Sequence, residues 1–283
     1  MLKADLLIYR LAKKHKPDLF MSFGAPYASQ VSFFMRIPSI TIDDTENASL
    51  GQIFYRPFST LILSPNTFYK DFGKKHIKFN GYMEISYLHN NYFKPDSSVL
   101  IDLKLKKNET YTILRFVKWR AHHDIGHSGI SKKNKVSIVN ELLKFGKVFI
   151  SSEDILPKEI EKYRIKIDPV KIHSVLYFAK LFYGESATMA SESAVLGTPA
   201  IYIDNDGRGY TNELESKYKI VFNFSETEKD QKKSIIKAKE IMSSYSKYNW
   251  DKKREKILSD KIDVTNFLME NILKFSKKIK KDG

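Results

Sequence analysis

Short apolar runs alternate with helical patterns as far as residue 225, and this alternation restricts the fold more than any other feature of the sequence. The first series contains the runs DLFMSF, SITI, TLIL and HIKF. The second series contains YTILRFV, GKVFIS, YRIKI, KLFYG, TPAIYI and KIVFNF, and the remaining chain has a helical pattern. Strands separated by helices form a parallel sheet that is covered on both faces. The sequence therefore predicts an α/β protein with two doubly wound, Rossmann-like sheets, for which 283 residues are sufficient.

The interval between the two series sets the predicted domain boundaries. Residues 1–80 are predicted to form an N-terminal α/β domain, which opens on a helix with no strand before it, and residues 81–96 form a linker. Residues 97–260 form the second α/β domain, and residues 261–283 form a helix that packs back toward the first. Ligands of such sheets bind beyond the carboxyl ends of the strands. We therefore expect a binding site in a cleft between the two domains.

The composition favours an anionic partner. The chain has 48 Lys and Arg against 33 Asp and Glu, a net charge of +15, which attracts nucleic acid, a phosphorylated metabolite or an acidic membrane surface. The basic residues are dispersed and no nucleic-acid-binding module is recognisable, so no specific nucleic acid is expected. The absence of cysteine excludes disulfides, thiolate metal ligands and cysteine nucleophiles. No stretch resembles a membrane span or a signal peptide, so the expected location is cytoplasmic, with peripheral binding to the inner face of the membrane left open.

The segment YGESATMASESAVLGTPAIYI (183–203) contains the strongest candidate binding site. Its first strand leads into a helix with natural N-cap residues, Ser186 and Thr188. Free backbone N–H groups at such a helix start attract a phosphate or diphosphate, and Glu192, about one turn further along, can accept hydrogen bonds from a ribose. Glu185 opposes phosphate binding unless it points away or acts on a sugar hydroxyl. The alternative is a capped helix in an ordinary βαβ crossover, and the spacing alone does not decide between the two.

This segment resembles the nucleotide-binding segment in the second domain of GT-B sugar-nucleotide enzymes, such as the peptidoglycan N-acetylglucosaminyl transferase and the hydrolysing UDP-N-acetylglucosamine 2-epimerases. In those enzymes a glutamate five residues before the glycine of a Gly-x-Pro holds the ribose. By this resemblance the ribose falls on Glu192, ahead of Gly197 and Pro199. The resemblance also implies that the diphosphate lies against the small residues before it, Ser186, Ala187 and Thr188.

Over essentially its whole length the chain is similar to a family catalogued as domain of unknown function 354. The similarity rests on the landmarks IPSITIDDTE, NGYMEISYL, LRFVKW, HHDIGHSG, NDGRGYTNELE and DKIDVT, which occur in this order. Members of that family begin with a strand and a Gly-containing loop ahead of the helix that opens this chain, so the first domain is expected to be short at its start. The resemblance implies a GT-B-like fold and a nucleotide sugar, first of all a UDP-sugar. It does not imply a settled reaction.

The loop RFVKWRAHHDIGHSG (115–129) follows the first strand of the second series and combines cations with histidines. Arg115 suits a diphosphate. A histidine beside an aspartate is a common arrangement for general acid–base catalysis, which makes His123, Asp124 and His127 catalytic candidates. A metal site and a polar loop without chemistry are the alternatives. We expect no metal and no cofactor.

Two further loops carry candidate residues. The loop SITIDDTENA places Asp43 and Asp44 directly after a strand of the first domain, where either carboxylate could act as a general base; capping of the next helix is the alternative. In NDGRGYTNELE, Arg208 can reach a phosphate and Gly209 allows the backbone to approach a ligand. The alternative for this second loop is a surface turn.

Together these features predict a nucleotide-sugar-binding protein, first of all a glycosyltransferase of surface-polysaccharide or glycoconjugate assembly. Its acceptor could be a polyprenyl phosphate at an anionic membrane surface. A hydrolysing UDP-sugar 2-epimerase is the alternative reaction. A non-catalytic sugar-nucleotide binder and a nucleic-acid-binding protein are the alternatives of another class.

Overall fold

The computed structural model describes residues 2–118 and 128–282, with side chains described as far as residue 275. It divides the chain into two compact units. One unit comprises Met1–Ser86 and Lys261–Gly283, and the other comprises Tyr87–Asp260. Each unit contains one β-sheet, so the two series of strands in the sequence correspond to two separate sheets.

The first unit is built on a parallel sheet that has four strands in the described residues. Its elements are α1 Leu2–His15, β1 Phe20–Phe23, α2 Pro26–Phe34, β2 Ser39–Ile42, α3 Ser49–Tyr55, β3 Leu61–Pro65 and β4 His76–Phe79. The strands are ordered β1-β2-β3-β4, as along the chain, and each neighbouring pair is parallel. All four residues of β2 are buried, whereas β1 alternates between half-buried and exposed residues. The difference arises because β2 lies between two strands and β1 lies at the edge of the sheet.

The second unit is built on a larger parallel sheet, and its first residues belong to a short helix, α4 Ile85–Leu88. Its elements continue with α5 Val99–Asp102, β5 Tyr111–Phe116, α6 Lys132–Leu142, β6 Lys147–Ser152, α7 Lys158–Glu161, α8 Ile172–Phe178, β7 Leu181–Gly184, α9 Ala187–Val195, β8 Ala200–Ile203, α10 Gly209–Ser216, β9 Val221–Phe224, α11 Glu228–Ser243 and α12 Lys247–Asp260. The last helix of the chain, α13 Val264–Asp282, belongs to the first unit.

The strand order β6-β5-β7-β8-β9 determines where this second unit can bind a ligand. All neighbouring strands are parallel. The chain places β6 on one side of β5 and then returns to place β7 on the other side. In open α/β sheets, ligands bind in the crevice beyond the carboxyl ends of the strands at such a reversal. The topology therefore points to the loops that leave β5 and β7.

The prediction of two parallel-sheet α/β domains is confirmed. One predicted strand, YRIKI (163–167), is wrong, because only a single bridge joins Ile150 of β6 to Arg164. The backbone of Ile150 accepts from the amide of Ile165 at 2.9 Å, and a one-turn 3-10 helix, Pro169–Lys171, then follows. The alternating isoleucines of this segment line a cavity instead of extending the sheet. In the part of the chain that the structure describes, no helix is long and apolar enough to span a membrane.

Candidate functional site

A buried glutamate joins the loops that leave β5 and β7. Glu185 directly follows β7 and is almost fully buried. Its carboxylate accepts hydrogen bonds from the backbone amides of Val117 at 2.8 Å and Ile130 at 2.5 Å. The ammonium group of Lys135 lies 4.0 Å away. Glu185 therefore serves the backbone of its own chain, which explains how a carboxylate is accommodated beside a candidate phosphate site.

A second buried glutamate, Glu226, makes the equivalent connection after β9. Its carboxylate accepts from the backbone amides of Ser128 at 2.6 Å and Gly129 at 2.7 Å. Its own backbone amide donates to the side chain of Asn205, which follows β8, at 2.9 Å. Hydrogen bonds to charged acceptors are stronger than those between neutral groups. Two carboxylates and the side chain of Asn205 thus link the loops that leave β5, β7, β8 and β9 at one edge of the sheet.

The helix α9 begins at this edge, directly after Glu185. Ser186 is its N-cap residue and accepts a hydrogen bond from the amide of Met189 at 3.3 Å. Ala187 is the first helical residue, and Thr188 is exposed in the first turn. The sequence ATMA of that turn contains no acidic residue and no large branched side chain. The start of α9 therefore offers backbone donors and a positive dipole end to an anion.

Glu192 lies further along α9 and is held by two side chains that the sequence did not indicate. Its Oε1 accepts from the hydroxyl group of Tyr87 at 3.0 Å and lies 2.9 Å from Nε2 of His173, the second residue of α8. The side chain of Glu192 is only 9 % exposed. The carboxylate is therefore fixed in one orientation, and its Oε2 makes no side-chain hydrogen bond to the described residues.

A cavity of about 390 Å³ adjoins α9. Apolar side chains form most of its wall, among them Ile165, Ile167 and Ile172. Met189 of α9 also lines the cavity. Because Met189 and Glu192 are three residues apart in one helix, they lie on the same face of α9. The start of the helix, the Met189 side chain at the cavity and the Glu192 carboxylate therefore lie along a single element.

Arg115, on β5, provides a cation at the same cavity. One guanidinium nitrogen donates to the hydroxyl group of Ser151 at 2.8 Å, and another forms an ion pair with Glu153. The third nitrogen, Nε, is buried and has no hydrogen-bond partner among the described residues. A buried donor without a partner costs free energy, and a ligand acceptor would remove this cost.

Arg208 and Gly209 follow β8, where Arg208 is the N-cap residue of α10. The Arg208 guanidinium donates to the backbone oxygen of Gly207 at 2.5 Å, and its backbone amide donates to the hydroxyl group of Thr211 at 3.2 Å. Asp204 organises the preceding turn by accepting from the amide of Gly207 at 3.2 Å. The structure thus places both predicted residues at the same edge of the sheet as the start of α9.

In the first unit, Asp43 and Asp44 follow β2 as expected but have different environments. Asp43 is buried, and its carboxylate accepts from the hydroxyl group of Tyr55 at 2.5 Å and from the side-chain amide of Gln52 at 3.2 Å. Asp44 receives one hydrogen bond from the hydroxyl group of Thr45, at 3.0 Å. Burial raises the pKa of Asp44 to about 6, and the nearby Asp43 and Glu46 charges add to this rise. Asp44 is thus the more suitable of the two for proton transfer near neutral pH.

The remaining catalytic candidates, His123, Asp124 and His127, lie outside the described residues. Within the described residues no group of three or more His, Asp or Glu side chains could hold a metal ion. The second unit therefore contains Arg115, Glu192, Arg208 and the start of α9. Asp43 and Asp44 belong to the first unit.

The family model of DUF354, described as a protein of unknown function, matches residues 5–277. No curated protein matches the sequence. Solved structures with a similar fold include the UDP-GlcNAc 2-epimerase from Neisseria meningitidis bound to UDP-GlcNAc. It shares 14 % sequence identity with this chain at a TM-score of 0.68, and the match covers 96 % of this chain and 80 % of that one.

Two further solved structures come from proteins of different names. The MnaA–UDP co-structure from S. aureus shares 11 % identity at a TM-score of 0.65, and the match covers 98 % of this chain and 79 % of that one. Spinosyn rhamnosyltransferase complexed with thymidine diphosphate shares 11 % identity at a TM-score of 0.56, with 91 % and 74 % of the two chains covered. These similarities identify the architecture as the GT-B fold, as the sequence predicted.

Proposed function

This chain belongs to the DUF354 family, and we propose that it binds a nucleoside diphosphate sugar at the carboxyl edge of its five-stranded sheet. One observation carries the proposal. The start of α9, the cavity beside Met189 and the Glu192 carboxylate all lie along one helix at the reversal of strand order. A nucleotide sugar has a diphosphate, a base and a ribose, and each of these groups suits one of the three features. Three of the solved structures with this fold are named with UDP, UDP-GlcNAc or thymidine diphosphate, which supports the same ligand class.

The diphosphate is assigned to the start of α9. The amides of Met189 and Ala190 donate to Ser186. The donors that the first turn offers to a ligand are therefore the amides of Ala187 and Thr188. The helix dipole favours negative charge there. Ser186, Ala187 and Thr188 leave room for the phosphate oxygens to approach the backbone. Arg115 and Arg208 supply positive charge at the same edge of the sheet.

The ribose is assigned to Glu192 and the base to the cavity. A carboxylate that is fixed and largely buried accepts hydrogen bonds from hydroxyl groups without first losing conformational freedom. The apolar wall of the cavity suits the faces of a planar base, and the unpartnered Nε of Arg115 is a donor that a base oxygen could use. A uracil carries such oxygens, so a UDP-sugar is the first ligand to test.

The proposed reaction is transfer of the sugar to an acceptor in surface-polysaccharide or glycoconjugate assembly. In such a transfer a base removes the proton of the acceptor hydroxyl while cations and backbone amides stabilise the departing diphosphate. Asp44 is the proposed base, because its pKa of about 6 suits proton transfer near neutral pH. With a net charge of +15, the protein would also attract an anionic acceptor such as a polyprenyl phosphate.

Hydrolysing epimerisation of a UDP-sugar is the second candidate. It is favoured by the fold similarity to the meningococcal enzyme named as a UDP-GlcNAc 2-epimerase. The two reactions are separated by their need for an acceptor. An epimerase changes UDP-GlcNAc in the absence of any acceptor, whereas a transferase releases UDP at a useful rate only when the acceptor is present.

The binding proposal is tested by titrating UDP and UDP-sugars into wild-type protein and into Glu192→Ala and Glu192→Gln variants. Loss of charge-assisted hydrogen bonds worth about 1.5–3 kcal/mol predicts a loss of affinity of about 10- to 150-fold for alanine and a smaller loss for glutamine. Glu255→Ala is the matched control, because it makes the same change at a carboxylate that is 67 % exposed on α12. Equal affinities in wild type and both Glu192 variants would refute the assignment of Glu192, and absence of binding to wild type would refute the function.

A further inference from the structure

We infer that Tyr87 and His173 are positioning residues that direct Glu192 toward a single hydroxyl group of the nucleotide ribose. The inference rests on the proposed function, because it concerns how the same site reads its ligand. It starts from the unequal use of the two oxygens of one carboxylate. Among the described side chains, Tyr87 and His173 both direct a hydrogen bond to Oε1, and none reaches Oε2.

The positions of the two donors are themselves fixed. The rings of Tyr87 and His173 lie 5.4 Å apart at an interplanar angle of 39°. The rings of Phe93 and His173 are perpendicular, with the ring centroids 6.2 Å apart and the planes at 89°. Contacts with two aromatic rings restrict the rotation of the imidazole, and its hydrogen bond keeps Nε2 of His173 directed at the carboxylate.

The donor at Nε2 persists whether His173 is neutral or protonated. A neutral imidazole beside a carboxylate carries its proton on the nitrogen that faces the acceptor, and the imidazolium carries a proton on both nitrogens. Tyr87 adds a hydroxyl donor to the same oxygen. Oε1 therefore already accepts from two donors. Most of the remaining capacity of the carboxylate to accept hydrogen bonds lies on Oε2.

A side chain that is 9 % exposed cannot satisfy its free oxygen with bulk water as readily as a surface carboxylate can. A ribose hydroxyl can replace the water there, and one oxygen favours one hydroxyl over the other. The arrangement thus predicts that this site distinguishes the two ribose hydroxyl groups. Loss of one hydroxyl should weaken nucleotide binding strongly, and loss of the other should weaken it little. Removing Tyr87 or His173 would free the carboxylate to rotate and would weaken that distinction.

The test measures the affinity of UDP, 2′-deoxy-UDP and 3′-deoxy-UDP by calorimetry. For wild type we expect one of the deoxynucleotides to bind at least about 10-fold more weakly than UDP and the other to bind within about 3-fold of it. In Tyr87→Phe and His173→Ala variants the affinity for UDP should fall about 3- to 10-fold, and the difference between the two deoxynucleotides should shrink. His173→Gln retains an N–H donor. It should therefore keep part of the affinity for UDP and part of the difference between the two deoxynucleotides.

Several outcomes decide between the alternatives. If Tyr87→Phe and His173→Ala lower the affinity for all three ligands by the same factor, the two residues have a structural role only and the inference is refuted. If Glu192→Ala loses affinity for UDP while both positioning variants bind as wild type does, the inference fails and the proposed function stands. If wild type binds no nucleotide, the proposed function fails and the inference with it. Tyr87→Phe and His173→Gln keep the size of the native side chains, so they preserve a test if His173→Ala does not fold.

Discussion

Glu185 and Ile130 are 55 residues apart in the sequence, yet the backbone amide of Ile130 donates a hydrogen bond to the Glu185 carboxylate at 2.5 Å. The same carboxylate accepts from the amide of Val117 at 2.8 Å. The two acidic residues of the segment 183–203 therefore have different surroundings. Glu185 accepts from backbone donors of neighbouring loops, whereas the described side chains that bind Glu192 meet one of its two oxygens.

Replacement of Glu185 by glutamine should destabilise the fold. Glutamine has the same size, but its side-chain NH₂ group is a donor and would face one of the two backbone N–H donors. Its remaining oxygen is uncharged, so both charge-assisted hydrogen bonds would be lost. We expect the free energy of unfolding to fall by about 1.5–3 kcal/mol in urea denaturation. Glu255→Gln, at an exposed carboxylate, should change it by less than about 0.5 kcal/mol. If the two variants were equally stable, the hydrogen bonds of Glu185 would have no structural importance.

A large side chain in the cavity should separate recognition of the base from recognition of the diphosphate. Ile167→Trp places an indole in a space of about 390 Å³ that we assign to the base. We expect the affinity for UDP to fall at least about 10-fold, while the affinity for inorganic pyrophosphate stays within about 2-fold of wild type. Val170→Trp is the control, because Val170 lies three residues further along and is 86 % exposed. Equal losses for UDP and pyrophosphate would place the base elsewhere.

The fold could be predicted from the sequence because its signals are local. Apolar runs bounded by helical patterns identify buried parallel strands, and Ser186 stands where an N-cap residue is expected. The run YRIKI shows the limit of this reasoning. Its alternating isoleucines are compatible with a strand, but they line a cavity instead, and a short run carries no signal that separates the two cases.

The surroundings of the site residues could not be predicted, because they depend on contacts between distant positions. Tyr87 and Glu192 are 105 residues apart. Tyr87 lies in the landmark NGYMEISYL, but nothing in the sequence connects either Tyr87 or His173 with Glu192. The position of Glu192 on its helix was evident from the sequence, whereas the two donors that fix its carboxylate were not. The roles assigned to Arg115, Glu192 and Arg208 stay predictions, and the Glu192 variants test the assignment of the ribose.

Substitution of Gly197 by alanine should destabilise the end of α9. Gly197 has a φ of +84°, which favours glycine, and a Cβ atom there would lie 3.0 Å from Cδ of Arg254. We expect a loss of about 1–2 kcal/mol in the free energy of unfolding. Gly51→Ala is the matched control, because Gly51 lies within α3 and a Cβ atom there meets nothing closer than 3.6 Å. That variant should be as stable as wild type or up to about 1 kcal/mol more stable, and the opposite ranking would contradict both arguments.

Asp44→Asn should stabilise the protein at pH 7 but not at pH 4. Burial raises the pKa of Asp44 from 3.8 to about 6, so between these values the folded state holds a proton that the unfolded state releases. Stability therefore falls as the pH rises through this window, and the full cost of a buried charge is present above pH 6. Asparagine keeps an acceptor for the hydroxyl group of Thr45 and removes the ionisation, so urea denaturation should show a gain of about 1–2 kcal/mol at pH 7 and almost none at pH 4. Asp71→Asn should instead destabilise the protein at pH 7, because a backbone hydrogen bond from Gly73 lowers the pKa of that exposed carboxylate and so favours its charged form in the folded state. An equal effect of Asp44→Asn at both pH values would show that its ionisation does not oppose folding.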